Sequence, residues 1–273
     1  MNRWIDPLLT QLDQTPCRPT WFFRDDDAGW ADQHLLAVAD VFQRSGVILD
    51  VAAIPAAVSP ALSEGLRARV AAGEVSVHQH GWAHVNHQPD GRRSEFGAAR
   101  APADQFGDLQ KGRSRLCELL DGAVEPFFTP PWNRCEDRTA PLLGEVGLTV
   151  LSCDWSAPRR NVPAVAEMPV RLDWTRCWRE GGPERLGAEL TRSLDGHSAS
   201  TGGNGRGELA LGVMLHHATM TDEQLDVLAH LLTALNGHPS AVLAPMASLA
   251  VASPETDHQP HHAVGSSLRT RSS

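Results

Sequence analysis

Between residues 20 and about 250, short apolar and β-branched runs alternate with stretches that carry apolar residues at helical spacing. Residues 21–24 (Trp-Phe-Phe-Arg) read as a strand, followed by a helix through Leu35, Leu36, Val38 and Phe42. Residues 47–54 form a second strand. Ser59 then caps a helix that has Pro60 at its first position and Leu62, Leu66 and Val70 along its apolar stripe. A third strand covers 74–79, and a polar, Gly-containing insertion at 88–102 leads to a helix marked by Phe106, Leu109, Leu116 and Leu120. Further strands are expected at 126–129, 148–152, 165–172, 209–215 and 241–249, with helices at 137–146 and 183–194. Another helix, opened by a capping box of Thr221 and Gln224, runs to about Leu235. Residues 196–205, rich in Gly and Ser, are expected to form a mobile loop. Such alternation implies a mostly parallel sheet. With seven or eight units and no compositional break, a closed α/β barrel is favoured over a doubly wound open sheet. The expected organisation is an N-terminal helical extension over 1–19, the barrel over 20–252 and a disordered tail over 253–273.

Residues suited to chemistry sit just past the C-terminal ends of these strands. The first strand runs into Asp25, Asp26 and Asp27, and the third into His78 and His80, with His84 four residues later. The fourth leads to Pro-Pro-Trp132-Asn133-Arg134, the fifth to Asp154-Trp155, and the late strand to His216-His217. In a β/α barrel these ends converge on one rim, where such folds keep their active sites. Two histidines four apart can share one face of a helical turn and reach one cation, and neutral imidazole is a common metal ligand. His78 and His80 share one face of a strand, so that pairing is a second possibility. Adjacent aspartates often do no more than make turns or cap helices. Three at a rim beside histidines point instead to one carboxylate on a metal and a neighbour free as general base. His34, His87, His230 and His238 read as loop or surface residues.

The ordered set Phe-Arg24-Asp-Asp-Asp27-Ala-Gly, His80-Gly-Trp-Ala-His84, Pro-Pro-Trp132-Asn133-Arg134, Asp154-Trp155 and Leu-His216-His217 resembles the polysaccharide deacetylases, the NodB-homology or family 4 carbohydrate esterase type of protein. The resemblance covers roughly 20–250 and implies a distorted (β/α)7 barrel that removes acyl groups, commonly from N-acetylated sugars. It assigns the metal to Asp27, His80 and His84, the general base to Asp26 and the general acid to His216. Asp25/Asp26 is an alternative register for the base and ligand, and His217 an alternative acid. Trp132 and Asn133 are expected against the substrate. The family's third motif usually opens with an arginine that orients the base, and Thr129 stands there in this chain. Arg24 or Arg134 is the candidate substitute, and Asp154 is expected to set the charge state of the acid histidine. The implied cofactor is one divalent metal ion, with zinc first, and the substrate an acylated carbohydrate or small N-acyl compound.

A formal net charge of −9 argues against a nucleic-acid surface. Five widely spaced cysteines without a CxxC pair suit reduced thiols, and no apolar run approaches the roughly 20 residues of a membrane span. With no signal-peptide pattern at the N-terminus, a cytoplasmic location is expected. The alternatives are an amidohydrolase-like enzyme or a 2-His-1-carboxylate oxygenase, and a catalytically silent barrel that binds carbohydrate or metal.

Overall fold

The computed structural model describes residues 3–16, 18–201 and 210–251; the expected tail lies outside them, as does the end of the expected 196–205 loop. The strands are β1 (Thr20–Ala28), β2 (Leu49–Ala53), β3 (Val75–His80), β4 (Phe127–Thr129), β5 (Val150–Leu151), β6 (Ala166–Glu167), β7 (Val170–Asp173), β8 (Leu211–Leu215) and β9 (Val242–Leu243). They form one parallel sheet in the order β6-β5-β4-β3-β2-β1-β8-β7, with β9 paired to the start of β1. The helices are α1 (Asp6–Gln14), α2 (Asp32–Arg44), α3 (Pro60–Ala71), α4 (Pro102–Leu119), α5 (Thr139–Val146), α6 (Trp174–Thr201), α7 (Asp222–Asn236) and α8 (Met246–Val251).

The two ends of that order, β6 and β7, are consecutive in the chain and separated only by Met168 and Pro169. The single strand expected over 165–172 is therefore broken. Its first half pairs with β5 and its second with β8, so the segment spans the seam of the curled sheet. Pro169 cannot donate to a ladder, yet Val170 beyond it still donates to the Cys153 carbonyl after β5 at 2.9 Å while standing opposite Gly212 of β8, so the two pairings overlap at Val170. Counting β6 and β7 as one broken strand gives seven staves.

Both faces of β1 are buried, which is why it reads as a continuous apolar run. Phe22 points into the barrel among Phe127, Val150, Met214 and Met246, whereas Trp21 and Phe23 pack under the helices. Alternation then carries Arg24 and Asp26 along the inward face of Phe22, and Asp25 along the outer one. The N-terminal extension packs into the main helical layer through Trp4, Ile5, Leu8 and Leu12. The Trp4 carbonyl lies against Gly187 of α6 where a Cβ would collide with it.

Ser59 caps α3 as expected, its Oγ accepting from the Leu62 N–H at 3.1 Å. Thr221 caps α7 at 3.4 Å, but the reciprocal half of the box is replaced: Gln224 Oε1 accepts from the indole of Trp174 at 3.0 Å. The last expected strand is only two residues long, and the chain turns at Pro245 into α8. Helix α6 starts earlier than the sequence suggests, at Trp174, with a break at Gly181–Gly182, and its backbone continues through Thr201 into the expected loop.

Candidate metal centre and acid–base site

Asp27, His80 and His84 converge at the rim, their ligand atoms all within 4.8 Å of one another. Both imidazole Nε2 atoms face one oxygen, Asp27 Oδ1, at 3.1 Å from His80 and 3.2 Å from His84. His80 Nδ1 lies 3.0 Å from the Thr129 carbonyl. A carbonyl only accepts, so Nδ1 carries a proton and Nε2 is the ring atom turned to Asp27, the one that would present its lone pair to a metal ion bound there. Burial alone would raise the Asp27 carboxyl, but its hydrogen bonds with His80 and His84 hold it well below the ordinary carboxylate value. This two-nitrogen, one-oxygen set fits a divalent cation that keeps open coordination positions.

His84 does not arrive on a helical turn. Residues 81–87 are irregular, and the chain reverses through left-handed backbone at Gly81 (φ 58°) and His84 (φ 57°). The buried Glu95 carboxylate shapes this loop, accepting the Trp82 N–H at 3.1 Å and the Ala83 N–H at 2.8 Å. A Cβ at Gly81 would strike that carboxylate and the Pro131 ring. The His84 ring is flanked by Trp30 and Trp132, with ring centroids 4.8 and 4.3 Å away. Asp27 (φ 73°), Trp132 (φ 56°) and Asn133 (φ 56°) also hold left-handed backbone. Strained non-glycine backbone gathered in one place marks a site that the surrounding structure enforces.

Asp26 lies one residue before Asp27 and is fully buried, with no hydrogen bond to His80 or His84. Arg24 grips both its oxygens, Nε to Oδ1 at 2.7 Å and Nη2 to Oδ2 at 2.9 Å. The guanidinium is held by the Ser152 carbonyl at 3.1 Å, Ser152 Oγ at 2.6 Å and Asn133 Oδ1 at 2.5 Å. Burial on its own would raise the Asp26 carboxyl. The Arg24 charge, then His80 and His216, keep it below the usual range. Of the two candidates for the missing arginine's place, Arg24 is the one that pairs with Asp26. Arg134 instead donates to the Arg93 carbonyl at 3.3 Å and lines a groove. Thr129, at the vacated position, engages His78 Nε2 through its hydroxyl at 2.9 Å, and burial pushes His78 down to about 3, so it stays neutral.

β8 runs parallel to β1 with Leu215 opposite Asp25, which brings His216 alongside Asp26. His216 Nδ1 is buried with no hydrogen-bond partner among the described residues. His217 turns the other way: its Nδ1 meets Asp25 Oδ1 at 3.1 Å and its Nε2 donates to the Trp30 carbonyl at 2.6 Å. Asp25 and His217 thus form a buried pair behind the rim, and the Asp25 charge lifts His217 to about 9 against the opposing effect of burial.

Two expectations need correction. Asp154 makes no hydrogen bond to His216; its carboxylate closes a turn, accepting from Ser156 N at 2.8 Å and Ser156 Oγ at 2.5 Å. The carboxylate whose charge is coupled to His216 is Asp26. Asn133 borders the groove, but its amide is engaged internally, with Arg24 and with Met214 Sδ at 3.0 Å, so it braces Arg24. Trp132 lines the groove and faces His84. Sequence reasoning missed Glu95, Trp30 and Ser152. Only Trp30, next to the first motif, carried a signal there.

No family model matches the sequence, and neither does any curated protein. Solved structures match by fold. One assigned as a polysaccharide deacetylase from Mycobacterium smegmatis has a TM-score of 0.65 at 13% identity, covering 93% of this chain and 96% of its own. A family 4 carbohydrate esterase from Streptomyces lividans gives 0.53 at 13% identity, covering 84% and 93%. A family 4 pseudoenzyme from Bacillus anthracis gives 0.54 at 12% identity, covering 86% and 66%. The seam-spanning parallel sheet described above is the distorted (β/α)7 barrel of the polysaccharide deacetylases and family 4 carbohydrate esterases.

Proposed function

We propose that the chain is a metal-dependent hydrolase that removes an acyl group, acetyl first, from an N-acylated sugar or related amide. The observation that carries this reading is the division of labour between neighbouring carboxylates. Asp27 faces two histidines, while Asp26 is held ionised by Arg24 and is free to take a proton. A redox site would have no use for such a base, whereas hydrolysis needs one.

Asp27, His80 and His84 would hold the ion, and two nitrogens with a carboxylate suit zinc. Bound there, it would supply Lewis acidity to the acyl carbonyl and lower the pKa of water. Asp26 takes the proton of the attacking water as the new C–O bond forms. His216, beside Asp26 on the same rim, gives its proton to the nitrogen as the C–N bond breaks, releasing the amine and a carboxylic acid. Arg24 keeps Asp26 ionised and aimed, and Trp132 walls the substrate.

Zinc-loaded protein should release acetate from at least one member of a panel of N-acetylated sugars and small N-acetyl amides. His80→Ala and His84→Ala should lose both metal and activity, whereas Asp26→Asn should keep the metal and lose turnover. Metal retained with no acetate from any substrate would favour the silent-barrel reading, which the pseudoenzyme neighbour and the absent motif-three arginine keep in view.

A further inference from the structure

Beside Trp132 the rim opens into a groove of about 490 Å³ bordered by Asn133, Arg134, Arg92 and Arg176. The chain as a whole carries a net charge of −9, so a groove bordered by these three arginines and by Arg160 runs against its average. Three acidic residues share the border: Asp154, which accepts from Ser156, Asp173, which accepts the Arg176 backbone N–H at 3.0 Å, and Glu136; none of them forms an ion pair with Arg92, Arg134 or Arg176. Arg160, also on the groove, is tied to the Cys135 carbonyl at 2.8 Å. Among the described residues, Arg92, Arg134 and Arg176 have no carboxylate within 4.0 Å. Partial burial, and then the like charge of Arg92, depress the Arg134 guanidinium below its ordinary value, and the Asp154 charge offsets this only in part. Two cations left side by side are a repulsion that an oxyanion relieves, and the guanidinium fork matches carboxylate and phosphate alike. The left-handed backbone of Trp132 and Asn133 places Trp132 against His84 and Arg134 on the groove within one short segment. The acyl group and the anion would then sit at two ends of one small molecule.

We propose that the groove recognises a substrate that carries an oxyanion, a carboxylate or a phosphate, through Arg92 and Arg134, with Arg176 at the rim. This rests on the hydrolase reading only for the acyl end; anion binding can be measured without turnover. Calorimetry on the zinc-loaded full chain would compare N-acetylglucosamine, its 6-phosphate, N-acetylmuramic acid and inorganic phosphate. At least one charged probe should bind tenfold or more tightly than the neutral sugar, and the tighter one names the anion. The double variant Arg92→Gln/Arg134→Gln should abolish that preference, and an unchanged circular dichroism spectrum would confirm its folding. Equal affinity for all probes, no detectable charged binding, or a preference that survives in the double variant overturns the proposal. Acetate assayed in the same samples separates the two readings. Arginine-dependent anion binding with no acetate release from these sugars or from the wider panel above sinks the hydrolase reading alone, whereas release from neutral and charged sugars alike, unchanged in the double variant, sinks the groove alone.

Discussion

Arg24 divides its guanidinium among Asp26, Ser152 and Asn133, so its loss leaves a fully buried carboxylate with no adjacent arginine. Burial would then push the Asp26 pKa upward, and a general base must be ionised to work. In Arg24→Gln, the acid limb of the kcat/KM profile should move to higher pH, and activity at pH 7 should fall about tenfold to a hundredfold. An unshifted limb would mean that Arg24 does not tune the base. Arg24→Lys should recover little, because a point charge cannot hold two oxygens and brace two neighbours. The triple aspartate announced carboxylate chemistry but not its distribution. Strand alternation sends Asp25 outward and Asp26 inward, which is legible once β1 is known to be buried on both faces. The left-handed turn at Asp27, which aims it at His80 and His84, has no signature in an Asp-Asp-Asp run.

The loop between β3 and the 88–102 insertion shows where element-level reading stops. His80 and His84 were legible as a pair, yet the helical turn expected to present them is absent. The pairing is made instead by Gly81, the left-handed His84 and the Glu95 carboxylate, which lies in a stretch that looks merely polar. Replacing Glu95 by Gln turns one acceptor into a donor facing a backbone N–H. Zinc affinity of Glu95→Gln, measured by competitive titration, should drop about tenfold to a hundredfold with the three ligands intact. Unchanged affinity would show that the loop needs no such anchor. Behind the rim, His217 ties the end of β8 to Asp25 and to the turn after β1. Its pKa is about 9 in the fold against 6.5 when free, so the imidazolium form is favoured by folding. That stability is fully present below pH 6.5 and is lost as pH rises through 9, on the order of 3 kcal/mol. Chemical denaturation at pH 6, 8 and 10 should show the decline in wild type and a flatter course in His217→Gln.

At the scale of the whole molecule, the barrel was legible because each strand–helix unit announces itself and the chemistry falls at one set of strand ends. The way the sheet spans its seam was not, since a segment that pairs with β5, then with both sides at Val170, then with β8 looks like one continuous run. Nor was the polar column that threads the barrel. Arg24 is paired in register with Asp50 of β2, below the level of Asp26, and Asp50 Oδ2 accepts the Met246 N–H of α8 at 3.0 Å. Asp50 therefore anchors the helix that follows the last strand, and Met246, fully buried, contributes to the barrel interior. Its other oxygen is buried without a hydrogen-bond partner among the described residues, and burial pushes the carboxyl up to about 7. Folding thus favours the protonated form. The penalty for ionisation is absent below the ordinary value of 3.8, grows as pH rises, and is fully present above 7, with a ceiling of about 4 kcal/mol. Asp50→Asn keeps the acceptor for Met246 and can never ionise. It should be more stable than wild type at pH 8.5, and the advantage should shrink by pH 5 in denaturant titrations at the two values. An advantage of equal size at both would place its origin in packing rather than in the charge, and a loss at both would mean that the protonated acid makes a hydrogen bond the amide cannot replace.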